Sequence, residues 1–316
     1  MGRKDGRLGG LGETKPMHVL VTGSTGLVGS ALVRWLTSEG HQVSRLVRTA
    51  TPPGSSDISW DPAANRIATP ALEGLDAVVH LAGENIATGR WTPAKKARIR
   101  DSRVQGTTLL CEALAQLVEA PKVLVSASAI GYYGDRGEQV MQEESRPGDD
   151  FLADVCRAWE AATASAEARG IRVVHLRIGV ILSPHGGALA KMLTPFKLGA
   201  GGVLGSGQQY MSWIALDDIV GIIHHALHTE SLRGPVNAVA PQAVTNRDFT
   251  KTLGRVLRRP TVLPMPAPVV RLLFGEMGDA LLLSSTRVVP ARLEASRYAF
   301  RYPELEGALR HLLGKE

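Results

Sequence analysis

The chain has 316 residues, 44% hydrophobic and 21% charged, which is ordinary globular composition and enough for one two-lobed unit or two small domains. Its net charge of +6 comes without a Lys/Arg block, zinc-ligand spacing or aromatic-basic interleaving. That argues against nucleic acid and for an anionic small-molecule cofactor or substrate. No apolar run approaches the roughly 18 residues of a membrane span, and two cysteines, Cys111 and Cys156, are too few for a disulfide framework; a cytoplasmic protein is expected.

Residues 1–16 are glycine-rich and basic and read as a flexible tail, neither secretory signal nor lipidation motif. Met17 to Ser30 is the stretch around which the rest of the chain is organised. An apolar run, Val19 to Val21, ends at Thr22, then Gly23, Gly26 and Gly29 come at three-residue spacing, and an apolar-periodic segment runs from Leu27 to Leu36. This predicts strand, tight turn and helix. Gly23 permits the turn, Gly26 lets the backbone approach a pyrophosphate, and Gly29 lets helix and strand pack closely. The run Gly23, Ser24, Thr25, Gly26, Leu27, Val28 and Gly29 is the expected phosphate-binding turn, with the helix N-terminus offering free N–H groups.

Gln42 to Val47 predicts a second strand. No acid lies between Gly40 and Ser56 to accept from a ribose 2′-OH, whereas Arg45 and Arg48 stand there, and Arg48 at the strand end is the expected 2′-phosphate ligand. A short strand is expected near Ile58 to Trp60, with Asp61 placed for an adenine contact. Leu75 to Gly83 is nearly all apolar, as a strand buried on both faces should be. Its end, Leu81, Ala82 and Gly83, is small enough to lie beside a nucleotide, and His80 within it reads as a packed core residue. Pro93 to Val118 predicts one long helix, Lys122 to Ser128 a strand, Asp150 to Arg169 a helix stopping at Gly170, and Arg172 to Leu182 a strand. The alternation predicts an α/β fold: a Rossmann-type, doubly wound parallel sheet binding its ligand at the strands' carboxyl ends.

Beyond Ser183 the alternation weakens. Helices are expected up to His228, over Asn246 to Leu257, near Val269 to Phe274 and over Glu304 to Leu313, with a late sheet strand at Val236 to Val239. Asp217-Asp218 reads as helix capping. The expected organisation is a dinucleotide-binding domain over 17–185, completed by the late strand, and a smaller C-terminal substrate lobe over 186–316.

Thr22 to Gly29, Asp76 to Gly83, Ser126-Ala-Ser128 and Trp213 to Asp218 together resemble the extended short-chain dehydrogenase/reductase family. Gly83 to Ile86, Gly131-Tyr-Tyr-Gly134, Trp159-Glu160 and the stretch from Pro195 to Gly207 narrow the resemblance. It is to the atypical epimerase family proteins, catalogued as nucleoside-diphosphate-sugar epimerases and in part under a cell-division-inhibitor-like label. Their C-terminal domain of unassigned function would here span about residues 263–313. The resemblance implies NADP(H) as cofactor, a small-molecule substrate such as a nucleotide sugar, and the homodimer that extended members often form. It implies no metal, membrane or nucleic acid.

Typical members use a serine at the fifth strand end, a Tyr-x-x-x-Lys pair on the next helix and an asparagine on the preceding long helix. The serine matches Ser128; Ser126 falls on the cofactor side of the same strand end. The pair does not match: aligned on Glu160, the tyrosine position falls near Leu152 and the lysine position at Cys156 or Arg157. The asparagine position holds Arg103, which would meet a cofactor phosphate or a substrate anion. Tyr132 and Tyr133, just after the serine strand, are the expected proton donors, although an unassisted tyrosine, with a pKa of about 10, is a poor base at neutral pH. Cys156 reads as core and Arg177 as an ion-paired wall residue. The loss of the pair also leaves open a cofactor-binding regulator without turnover.

Overall fold

The computed structural model describes residues 15–49, 51–52 and 54–315, so the expectation for residues 1–14 lies outside the described residues. The chain runs β1 (His18–Thr22), α1 (Leu27–Ser38), β2 (Gln42–Val47), β3 (Ile58–Asp61), β4 (Arg66–Ile67), β5 (Ala77–His80), α2 (Pro93–Ala115), β6 (Val123–Ala129), β7 (Val140–Met141), α3 (Phe151–Ala161), α4 (Ala164–Ala168), β8 (Arg172–Ile178) and β9 (Val180–Leu182). It continues through α5 (Gly187–Lys197), β10 (Tyr210–Met211), β11 (Trp213–Ala215), α6 (Leu216–His228), β12 (Gly234–Ala238), β13 (Val244–Thr245) and α7 (Asn246–Leu257). It ends in α8 (Ala267–Phe274), α9 (Glu276–Gly278), β14 (Arg287–Val288), α10 (Ala291–Ala295) and α11 (Leu305–Leu312).

The central sheet has the order β12-β8-β6-β5-β1-β2-β3-β4. Every pairing is parallel except the edge pair β3–β4. The chain builds outward from β1 to β4, then returns to lay β5 on the other side of β1. The strand order therefore reverses between β1 and β5, which is where doubly wound sheets form their ligand crevice.

The core follows from strand alternation. Val19, Val21, Val79, Val125 and Leu176 face Leu32, Leu36, Ile219 and Ile223 of α1 and α6. Leu20, Val78, Leu124 and Val173 face Leu109, Leu110 and Leu114 of α2 on the opposite side. A strand covered on both faces has no reason to carry polar side chains, so the few it does carry stand out.

Three expectations are corrected. The helix expected over Asp150 to Arg169 breaks at Thr163, a buried residue whose hydroxyl donates to the Glu160 carbonyl at 2.8 Å and meets His175 Nε2 at 2.9 Å. A side chain that bonds its own helix backbone and a neighbouring strand ends one helix and starts another. The strand expected over Arg172 to Leu182 breaks at Gly179, which switches partner. Ile178 pairs with Ala238 of β12, and Val180 with Trp213 of β11. A Cβ at Gly179 would come within 2.7 Å of the Ser212 carbonyl, so only glycine lets these backbones close up.

Thirdly, Asp218 does not cap α6. Its carboxylate is fully buried and accepts from the backbone N–H of Arg301 at 2.8 Å, that of Tyr302 at 3.0 Å and the Tyr298 hydroxyl at 3.3 Å. It fastens the C-terminal segment to the sheet layer. Further ties run from β14 to β7 and from β10 to β13. The region beyond residue 185 thus wraps the sheet, with α6 against α1 and β12 added as the sheet's edge strand beside β8.

Candidate functional site

The glycine turn lies at the reversal. Gly23 has φ +64°, and its amide plane lies so near β5 that a Cβ would meet the Leu81 carbonyl carbon at 2.7 Å. A Cβ at Gly29 would meet the Gly23 oxygen at 2.2 Å, so helix and turn are in backbone contact there. α1 begins at Leu27 with Gly26 as N-cap, and no side chain caps it. Its leading N–H groups remain donors beside Ser24, Thr25 and Val28, an arrangement made for phosphate oxygens.

Thr22, to which the sequence alone assigned no role, holds the opposite wall. Its hydroxyl oxygen accepts from the N–H of Leu81 at 3.0 Å and of Ala82 at 3.1 Å. Having accepted two protons, it donates its own to His80 Nδ1 at 2.8 Å, which leaves His80 Nε2–H for the Thr107 hydroxyl at 3.0 Å. Burial drives the His80 pKa down to about 4, so the ring is a neutral strut. The Thr-Gly pair at a strand end was the signal available for this residue. Leu81, Ala82 and Gly83 continue along the crevice rim.

At the end of β2 the two arginines separate. Arg45 is committed to Asp57, its Nε donating at 2.8 Å. Arg48 is exposed and has no ion-pair partner among the described residues. Asp61 N-caps a short turn through Ala64 N–H at 3.2 Å and pairs with Arg66.

Past β6 the chain builds a buried polar network. Ser128 Oγ donates to Glu160 Oε1 at 2.7 Å. Arg177 grips the same carboxylate through Nε at 2.8 Å and Nη2 at 2.9 Å, and its Nη1 donates to the Tyr133 hydroxyl and the Glu143 carbonyl, each at 3.0 Å. Burial acts to lower the Arg177 pKa, but the Glu160 hydrogen bonds and charge outweigh it and the group stays above its usual value. Tyr133 then donates to Asn237 Oδ1 at 2.6 Å on β12. Asn237 N–H and Arg292 N–H both donate to Glu143 Oε1, at 3.0 and 3.2 Å. Sequence reasoning had no basis for Asn237 or Glu143, whose meeting depends on a contact between distant segments.

This network sorts the candidate proton donors. Tyr133 is fully buried, both capacities of its hydroxyl are used, and burial pushes its pKa up to about 12. It braces the wall and does not face the crevice, which corrects the expectation of a catalytic role. Tyr132 is half-buried with its ring 3.4 Å from Arg177 Cζ, and no described residue hydrogen-bonds its hydroxyl. Ser126 is enclosed in the sheet, its hydroxyl reaching, among the described residues, only the Ala127 carbonyl at 3.4 Å.

α3 presents Leu152 to Gly131, where a Cβ would meet the Leu152 Cβ at 3.2 Å. Cys156 is buried with Sγ 3.7 Å from the Ala129 carbonyl, and burial pushes its thiol up to about 12, so it is an inert core group. Arg157 is exposed and pairs with Asp154, leaving Cys156 as the inward-facing residue of the two. Arg103 of α2 approaches from the other side, its guanidinium against Gly83. Among the described residues no three His, Cys, Asp or Glu side chains are arranged to hold a metal ion, and no described helix is long and apolar enough to cross a membrane.

Residues 19–238 match the model of the NAD dependent epimerase/dehydratase family. The chain belongs to that family. Residues 265–312 match a second family, a domain of unknown function called DUF1731, as expected for the C-terminal segment. The chain is 44% identical to the epimerase family protein Mb2239 of Mycobacterium bovis, over 92% of this chain and 96% of that one. Among solved structures it resembles the human epimerase family protein SDR39U1, isoform 2, with NADPH: TM-score 0.86, 36% identity, 95% of this chain and 100% of that one. It also resembles a nucleoside-diphosphate sugar epimerase from Corynebacterium glutamicum, with TM-score 0.80 and 41% identity over 96% of this chain and 59% of that one.

Proposed function

We propose that the chain is an NADP(H)-dependent oxidoreductase of epimerase type, acting on a carbonyl, carbinol or nucleotide-sugar substrate. The observation that carries this is the uncapped N-terminus of α1 behind the Gly23 turn, at the reversal of the sheet. The human relative's structure with NADPH supports it, and so does Arg48, free at the end of β2 where a 2′-phosphate ligand belongs. Gly23 through Gly29, Leu81, Ala82 and Gly83 would hold the dinucleotide; when bound, its nicotinamide supplies or accepts a hydride.

The chain's own residues handle the substrate oxygen and its proton. Ser128 donates its own proton to Glu160, so its Oγ is oriented to accept from the hydroxyl of a carbinol substrate. Tyr132 holds the proton at its hydroxyl, with the Arg177 guanidinium stacked on its ring face and fixing the ring's orientation. Titration with NADPH and NADH, followed by nicotinamide fluorescence, tests the cofactor half: NADPH preference should collapse in Arg48→Ala, and equal binding of the two would remove Arg48 from the site. Carbonyl reduction lost in Ser128→Ala and Tyr132→Phe would establish the chemical half. A regulator without turnover is the second reading, favoured by the absence of tyrosine and lysine from α3; any such rate would exclude it.

A further inference from the structure

Arg103 sits in the middle of α2 with its guanidinium turned to the end of β5. Nη1 donates to the Glu84 carbonyl at 3.1 Å and the Ile99 carbonyl at 3.0 Å. Nε and Nη2 have no acceptor among the described residues, and no described carboxylate pairs with the group. The nearby Glu84 carboxylate is taken by Lys95 at 2.6 Å, with Arg98 at 4.0 Å. Burial pulls the Arg103 pKa down, opposed by the Glu84 carboxylate. Arg103 is half-buried, and a cation drawn out of water is normally paired, because desolvating one without compensation is costly. This one keeps an N–H edge unspent.

Its position says what that edge faces. A Cβ at Gly83 would lie 3.3 Å from Arg103 Cζ, and the Trp159 ring centroid lies 5.0 Å from it. The guanidinium is therefore held between the end of β5 and α3, the helix after β6. In the sheet order, β6 lies on the side of β5 away from β1 and its phosphate-binding turn. Of Cys156 and Arg157, the two α3 residues at which the family resemblance places a lysine, the inward-facing one is a neutral thiol and the other is exposed and paired with Asp154. α3 thus brings no cation to this side of the crevice, and α2 brings one.

We infer that Arg103 supplies the cation that α3 lacks, its free Nε–H and Nη2–H holding the vicinal ribose hydroxyls on the nicotinamide half of NADP(H). The assignment rests on the proposed dinucleotide site. It makes Arg103 a cofactor-holding residue and not a ligand of the 2′-phosphate, the pyrophosphate or a substrate anion.

The test uses the full chain and two probes: NADPH, and 2′-phosphoadenosine 5′-diphosphate, which keeps the adenosine half and both phosphates of the pyrophosphate and lacks the nicotinamide ribose. Calorimetric titration of Arg103→Met should show NADPH weakened by about tenfold or more, as for loss of charge-assisted hydrogen bonds. Affinity for the shorter nucleotide should be unchanged, and the fluorescence gain of bound NADPH should fall. Arg103→Gln keeps a donor for the two carbonyls and guards against misfolding; it should show the same selective loss. Unchanged NADPH binding in both variants would overturn the assignment, as would equal weakening of both probes. Failure of the unaltered chain to bind the shorter nucleotide would instead sink the dinucleotide site itself.

Discussion

Replacing Glu160 by glutamine removes one charge and adds two hydrogens at the centre of the Ser128–Glu160–Arg177 network. The Arg177 side chain is 3% exposed and that of Glu160 13% exposed, so solvent screens the pair little. The carboxylate accepts three hydrogen bonds, at 2.7, 2.8 and 2.9 Å. In the amide, one oxygen remains and the NH₂ group faces an Arg177 N–H, donor against donor. Arg177 keeps its bonds to Tyr133 and the Glu143 carbonyl but loses its ion-pair partner. Removing one member of a buried ion pair costs about 3–5 kcal/mol, most of it the penalty of the stranded charge. For a chain of 316 residues, with about 2.1 cal/mol/K of unfolding entropy per residue, that lowers Tm by about 5–8 °C. The double variant Glu160→Leu/Arg177→Met removes both charges and should be less destabilised than Glu160→Gln alone, because nothing charged remains buried. Thermal unfolding by circular dichroism measures both. A Glu160→Gln protein within about 1 °C of the unaltered chain, or a double variant worse than the single, would refute the claim that the pair is desolvated and mutually dependent.

Gly29→Ala places a methyl 2.2 Å from a backbone oxygen; the turn must shift, costing about 1–3 kcal/mol, and dinucleotide binding should fall with it, so full NADPH affinity in a folded variant would contradict the assigned contact. Asp218→Ala removes the acceptor of the Arg301 and Tyr302 N–H groups, while the Tyr298 hydroxyl keeps the Asp218 carbonyl at 3.0 Å; limited proteolysis should cut near residues 298–302 faster than in the unaltered chain, and an unchanged pattern would show that the segment is held elsewhere. His80 and His224 both have pKa values lowered to about 4, by burial first and, for His224, by His228 and His41 as well. A lowered folded-state value means stability is complete above pH 6.5 and lost as pH falls toward 4, up to about 3 kcal/mol for each group. Tm measured from pH 7.5 to 4.5 should therefore fall, and less steeply in His224→Gln; a flat profile would contradict the buried, neutral state.

Where chemistry is local, the sequence was sufficient. Gly23, Gly26 and Gly29 at three-residue spacing after an apolar run announce strand, turn and helix, because turn geometry and helix packing depend on neighbours in the chain. The doubly buried strands followed from unbroken apolar runs, and the Rossmann-type fold from their alternation with helices. The absence of tyrosine and lysine from α3 was also legible, since it is a property of composition. Tertiary structure decided everything that depends on which distant segments meet. Gly179 reads as strand until Ser212 is placed 2.7 Å from its missing Cβ. Asp218 reads as a cap until residues 301 and 302 arrive at its carboxylate. Tyr132 and Tyr133 are indistinguishable as neighbours in sequence, yet the 3₁₀ turn carrying them sends one ring into the core against Asn237, 104 residues away, and leaves the other hydroxyl without a hydrogen-bond partner among the described residues. Arg45 and Arg48 divide in the same way, through Asp57. Hydrophobic periodicity encodes which face of an element is buried; it carries no information about the polar partner waiting there, and a buried polar group takes its role from that partner.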